Sequence, residues 1–276
     1  MDNIIKETYG KNLGLFQSPY DPNQWKFKDA VPLSAFKIPD NYITESTYKF
    51  SFDQKDSSQC AASSYSYIRM LQENDKEQSE LDTYFSPTWS YGLRVDGGFC
   101  GEGMYLSDVV RGGREFGSVL FNELEYPCSY PKAKKLAKEK KDDLLVKGKP
   151  FRISSYYTCT TRREIQIAIM ETKAVMIGVP CFDSIFEPDK EGKVRFIKGQ
   201  SNSGGHAVCL VGWQKDEEGF WWIVKNSWGK YTKHGDGSTF LLHETYPWMD
   251  DAYVLVDEVT DMKFKEYKEK FYGSEE

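Results

Sequence analysis

Ten residues, Gly204-Gly205-His206-Ala207-Val208-Cys209-Leu210-Val211-Gly212-Trp213, constrain the fold of this chain more than any other stretch. They form an apolar run opened by two glycines and a histidine, and Ile223-Val224-Lys225-Asn226-Ser227-Trp228-Gly229 follows at hairpin distance. The intervening Asp216-Glu217-Glu218-Gly219 is a turn signal, so the two runs read as antiparallel neighbours. Such pairing brings His206 and Asn226 to one end of the ladder. A carboxamide that accepts the ring N–H of an imidazole fixes its tautomer without adding charge. That is the base and the orienter of a nucleophilic site, which still needs a nucleophile.

Six cysteines are available. Cys181 and Cys209 lie in apolar strand-like runs and read as small buried hydrophobes, while Cys128 and Cys159 carry no motif. Cys60 differs, because it opens a segment in which Ala61, Tyr65, Ile68 and Leu71 recur at helical spacing. A cysteine in the first turn of a helix feels the positive end of the macrodipole, and a nearby imidazolium favours its thiolate further. Gln54 stands six residues upstream. Folded back beside the Cys60 N–H, its side-chain amide completes a pair of oxyanion donors.

Residues 1–48 are polar, aromatic-punctuated and irregular, with turns at Ser18-Pro19-Tyr20-Asp21-Pro22 and Lys37-Ile38-Pro39-Asp40. They read as an arm laid over a domain. The domain spans 49–259, with helices over about 49–150 and strands over about 151–259, and a tail follows over 260–276. In that tail Met262, Phe264, Tyr267 and Phe271 predict a terminal helix. A second helix is predicted over Glu102–Arg111, with Leu106, Val109 and Val110 facing inward. Thr161-Arg162-Arg163-Glu164 has capping-box spacing ahead of Ile165, Ala168 and Ile169. Strands are predicted over Ala174–Phe182, Val194–Ile197, Ser238–Leu242 and Tyr253–Val256. Helices early and antiparallel strands late give an α+β fold of two lobes.

The lysine-rich stretch from Lys132 to Lys149 is interrupted by Glu139, Asp142 and Asp143 and reads as solvated surface. With 28% charged and 15% aromatic residues the composition is globular, and a net charge of -6 speaks against nucleic acid as a partner. No apolar run is long enough to cross a bilayer, and Met1-Asp2-Asn3-Ile4-Ile5-Lys6 lacks the core of a signal peptide. The expectation is a cytoplasmic protein, or one released without a recognisable signal peptide, with no membrane partner.

Gln54, Cys60, His206 and Asn226 in that order, with Asn226-Ser227-Trp228-Gly229 behind an apolar strand, resemble the papain-like cysteine peptidases of the C1 family. The similarity is greater to their bacterial and viral branch than to the plant or lysosomal one. It runs from about Asp21 to Val256, with Ser18-Pro19-Tyr20-Asp21-Pro22 similar to the upstream arm of that branch. Phe85-Ser86-Pro87 and Glu125-Tyr126-Pro127 match its landmarks between the first helices. The resemblance implies a helical left lobe and an antiparallel β-sheet or barrel right lobe, with the active-site cleft between them. It implies Cys60 as nucleophile, His206 as general base and then acid, Asn226 as orienter, Gln54 as oxyanion donor and Trp228 as cover of the Asn226–His206 bond. Gly103 would hold the substrate backbone and Met104 would wall the pocket for the residue two before the cut; a structural glycine and a core methionine are the alternatives. The implied activity is hydrolysis of peptide or protein substrates through a thioester, with no cofactor and no metal. His234 and His243 match nothing in the family and lack metal-ligand spacing.

The chain also departs from the pattern. Ala61 stands where plant and lysosomal members have tryptophan, and Ser57 where they have cysteine, which leaves Cys100 as a free thiol. Lys230-Tyr231-Thr232-Lys233-His234-Gly235 lacks the second tryptophan–glycine pair. No long helical propeptide is recognisable, and the arm before residue 48 is read as able to lie in the cleft. Two alternatives stand beside hydrolysis: a catalytically silent papain-like module that binds peptides or proteins, and acyl transfer or deamidation on the same scaffold. A silent module has no physical need for Gln54 or Asn226.

Overall fold

The computed structural model describes residues 13–45, 47, 50–77, 84–94, 101–249 and 252–257. After β1 (Leu15–Phe16), α1 (Phe27–Ala30) and β2 (Tyr42–Ile43), the chain enters the long helix α2 (Cys60–Glu77). α3 (Pro87–Gly92), β3 (Met104–Tyr105), α4 (Leu106–Glu115), α5 (Tyr130–Glu139) and α6 (Lys141–Gly148) complete a helical lobe. The second lobe holds β4 (Ile153–Cys159), α7 (Arg162–Thr172), β5 (Val175–Phe182), α8 (Asp183–Phe186), β6 (Lys193–Val194) and β7 (Asn202–Asp216). It ends with β8 (Gly219–Lys225), β9 (Thr239–His243) and β10 (Ala252–Asp257).

Among the described residues one sheet runs β4-β10-β5-β7-β8-β9-β6, with β1 and β2 joined to β7 and β3 joined to β1. Its pairings are antiparallel except β1 with β3 and β6 with β9. β7 is the hub. Its first half pairs with β5 from Asn202 to Leu210, its second half pairs with β8 from Cys209 to Asp216, and a register shift at Leu210/Gly212 bends it between the two. The hairpin of β7 and β8 closes at Asp216↔Gly219.

The α+β, two-lobe reading holds, and the structure adds how the lobes meet. From Cys60 to Leu71 every residue of α2 is buried, so this helix packs on all sides rather than by one face. Ala61, Ala62, Ser63 and Ser64 keep its first turns slim against β7, where Cys209 Sγ lies 3.2 Å from the Ser64 carbonyl oxygen. Farther along, Arg69 pairs with Glu73 and, at 2.6 Å, with Asp257 on β10, while Gln72 Nε2 donates to the Leu255 carbonyl at 2.8 Å. One core joins α2 and α4 to one face of the sheet, and another lies under α7 on its other face.

Boundaries shift where local sequence is silent. The helix expected from Glu102 starts at Leu106, because Gly101 and Gly103 take positive φ (94° and 101°) and Met104–Tyr105 are drawn into pairing with β1. The strand expected over Val194–Ile197 is reduced to Lys193–Val194. The lysine-rich stretch keeps its charges outward but is helical, with Ala133, Ala137 and Leu144 buried beneath it. Thr161 caps α7, accepting the Glu164 N–H at 3.2 Å and donating to Glu164 Oε1 at 2.8 Å. The tail over 260–276 lies outside the described residues. Among those described, no helix is long and apolar enough to cross a membrane.

Candidate active site

The sheet delivers His206 and Asn226 to one place. Cys209↔Lys225 is the last register pair of the β7–β8 ladder; the backbone then turns off, and the Asn226 N–H donates to Ser238 O at 3.0 Å. Lys225 anchors that turn, donating to Thr47 O at 2.9 Å and Asp236 Oδ2 at 3.1 Å. Burial lowers its pKa, and Asp236 opposes the shift. Beyond the end of the ladder His206 Nε2 and Asn226 Oδ1 stand 2.7 Å apart, both residues buried. Because a carboxamide oxygen only accepts, Nε2 carries the proton and Nδ1 is the nitrogen left to exchange one with a nucleophile. The same Oδ1 takes the Ser227 N–H at 2.7 Å.

Trp228 roofs the pair. Its ring stacks on His206 (centroids 4.4 Å, planes at 24°) and carries Phe186 at 5.4 Å and 7° on a further stack. Excluding water lowers the local dielectric and strengthens the bond beneath.

Cys60 opens α2, fully buried, and its sulfur is approached by backbone N–H groups of Ala207, Gly14, Ala61 and Cys60 itself. Burial pushes the thiol above its ordinary range, and those amides draw it back only in part. Burial thus works against the thiolate expected near neutral pH. Gly14, which supplies one of those amides, belongs to the arm.

β1 crosses from one lobe to the other. Leu15 pairs with Met104 on β3 and with Gly205 on β7, and the Met104 N–H donates to the Gly14 carbonyl at 2.8 Å. The slot is lined by glycine. A Cβ at Gly14 would run into the Ser58 carbonyl, and one at Gly205 into the Leu15 carbonyl.

Gln54 is fully buried and held twice by the strand end that carries Asn226. Its backbone N–H donates to Ser227 O at 2.8 Å, and Ser227 Oγ donates to its Oε1 at 2.6 Å. Its Nε2 donates to Ser57 O at 2.7 Å, which curls the 54–57 turn up to Cys60. Gly103 offers less to the cleft than its position suggests: its N–H goes to the Tyr91 hydroxyl at 2.9 Å and its carbonyl accepts from Arg94. Met104 supplies the main-chain donor instead, while its side chain is 1% exposed and sits in the core with Leu15.

His234 and His243 stand apart from the site, with Nδ1 of each 2.8 Å from the hydroxyl of Thr239 and Thr245 respectively. Among the described residues no cluster of His, Cys, Asp or Glu is arranged to hold a metal. Cys60, Cys128, Cys159, Cys181 and Cys209 are free; Cys100 lies outside the described residues. Ser227 and Gly14 went unread in the sequence, since each acts through a contact distant along the chain.

The two-lobe fold is papain-like. A family model described as Papain family cysteine protease matches residues 113–245. Xylellain, a cysteine protease from Xylella fastidiosa, shares the fold with a TM-score of 0.70 at 18% identity, covering 90% of this chain and 96% of that one. A procathepsin B from Trypanosoma congolense gives 0.64 at 14% identity, covering 89% and 83%. In sequence, the chain is 33% identical over 103 residues to an uncharacterised peptidase C1-like protein of Acanthamoeba polyphaga mimivirus, covering 35% of this chain and 32% of that protein. It is 34% identical over 79 residues to a cysteine proteinase of Entamoeba histolytica, covering 28% and 25%. These matches thus span about a quarter to a third of the curated relatives' length. In fold the chain is papain-like, and in sequence it is similar to papain-family cysteine proteases over residues 113–245.

Proposed function

We propose that the protein hydrolyses peptide bonds through a thioester on Cys60. The observation that carries this reading is the 2.7 Å contact of His206 Nε2 with Asn226 Oδ1, on a strand whose next amide, Ala207 N–H, meets the Cys60 sulfur. In the first half-reaction the Cys60 proton passes to His206 Nδ1 and the sulfur attacks the substrate carbonyl carbon. Cys60 N–H and Gln54 Nε2 hold the oxyanion, each donor contributing about 3 kcal/mol. The imidazolium then protonates the departing amine as the C–N bond breaks. In the second, His206 takes a proton from water as its oxygen attacks the thioester carbon, and the C–S bond then breaks while the imidazolium returns that proton to the Cys60 sulfur. Asn226 keeps the ring tautomer through both, under the cover of Trp228. Gly103 and Met104 border the substrate backbone, with the Met104 N–H as its donor.

The arm bears on when this happens. We read residues 13–16 as a strand that keeps the cleft closed, supported by the Gly14 N–H on the Cys60 sulfur and the Gly14 carbonyl on Met104 N–H.

Turnover of a short peptide amide, measured with thiol-directed epoxide labelling and mass spectrometry, tests the hydrolysis. Labelling of Cys60 over the other cysteines, with labelling and turnover both lost in His206→Ala, is expected. Uniform slow labelling without turnover would move the assignment to a silent binding module.

A further inference from the structure

Asn226 Nδ2 and Tyr231 Oη, both buried near the proposed triad, have no hydrogen-bond partner. Buried polar groups left unsatisfied are costly and call for an explanation. They are complementary in kind, an amide N–H donor and a phenol oxygen able to accept, and both residues flank the Trp228–His206 stack. Burial pushes the Tyr231 phenol well up, and the Asn226 carboxamide is the group that draws it back. Nor is the ring free to turn away. It stands edge-on to Trp228 at 5.4 Å and to Phe240 at 6.2 Å, and its backbone N–H is fixed to Gly237 O at 2.8 Å.

A carboxamide has two ends, and only one serves His206. With Oδ1 toward Nε2 it accepts the ring proton; rotated by half a turn it sets NH2 against N–H, and the tautomer is lost. Ser227 N–H, on Oδ1 at 2.7 Å, favours the first arrangement from one side. We propose that Tyr231 is a positioning residue that takes the Asn226 Nδ2–H from the other side and so keeps Oδ1 on His206. This rests on the reading of Cys60, His206 and Asn226 as a catalytic set. It also gives a role to the loop after Gly229, which departs from the family pattern: the phenol packs on Trp228 where the second tryptophan–glycine pair is missing.

Tyr231→Phe in the full-length protein removes one oxygen and keeps the ring and its packing. Two readings are taken: kcat and KM on a peptide amide, and long-range proton–nitrogen spectra of histidine-labelled protein, which report the His206 tautomer without turnover. Expected are a kcat about fivefold lower with KM unchanged, the size of one neutral hydrogen bond, and a smaller share of the Nε2–H tautomer. In an Asn226→Ala background the same substitution is expected to add nothing. Unchanged tautomer signals, or an equal loss in the Asn226→Ala background, would overturn the proposal. Absence of turnover in every form would defeat the hydrolytic reading, and the spectra would still decide whether Tyr231 sets the Asn226–His206 bond.

Discussion

Backbone N–H groups at the Cys60 sulfur favour negative charge, while burial pushes the thiol up. Gly14 of the arm supplies one of those N–H groups, beside Ala207, Ala61 and Cys60 itself. The same competition governs His234, whose pKa burial lowers while Asp236 opposes. Its unfolded-state pKa is about 6.5, so the neutral form's contribution to stability is fully present above that value and is lost as pH falls through the depressed folded pKa. Thermal unfolding at about pH 7.5 and pH 5, bracketing that range, is expected to show a lower midpoint in acid, with part of the drop absent in His234→Gln. An equal drop in both proteins would remove His234 from the acid response. At this scale the sequence was readable where chemistry is carried by residue type and order, as with Cys60, His206 and Asn226. It was silent on Ser227 Oγ, whose partner Gln54 lies 173 residues away, because no local pattern encodes such a contact.

Elements were legible in proportion to their length. β7 and β8 announce themselves as apolar runs split by a turn, and α7 carries its own capping box. Two-residue strands have no period to detect, so β1 and β3 were invisible and the helix after them was begun too early. Yet β1 is the element proposed to close the cleft. Its fit depends on having no side chain at Gly14, where a Cβ would strike the Ser58 carbonyl. Gly14→Val should lift the strand without touching the proposed catalytic side chains. An intramolecular contact weakened by about 1.4 kcal/mol shifts the open fraction about tenfold. Peptide hydrolysis and epoxide labelling are both expected to rise by about that factor or more. Rates at or below those of the parent protein, with the fold intact by circular dichroism, would mean that the arm is no barrier.

At the scale of the molecule, α2 is the joint. Its first residue brings the thiol, its small residues allow close approach to β7, and Arg69 ties its far end to Asp257 on β10. The lobes are thereby held in register at both ends of one helix, which lets a helical lobe and a sheet lobe share a site to within hydrogen-bond tolerance. The α+β division followed from the change of hydrophobic period along the chain. The threading of residues 13–16 between the lobes did not, since it depends on a gap that exists only once both have formed. The most direct measurement is intact and peptide-level mass of the Gly14→Val protein mixed with a slowly hydrolysed ester of a blocked amino acid. One acyl group on Cys60, absent in Cys60→Ser and persistent in Asn226→Ala at lower occupancy, is the predicted result; acylation elsewhere, or none while the cleft is open, would contradict a thioester mechanism at this site.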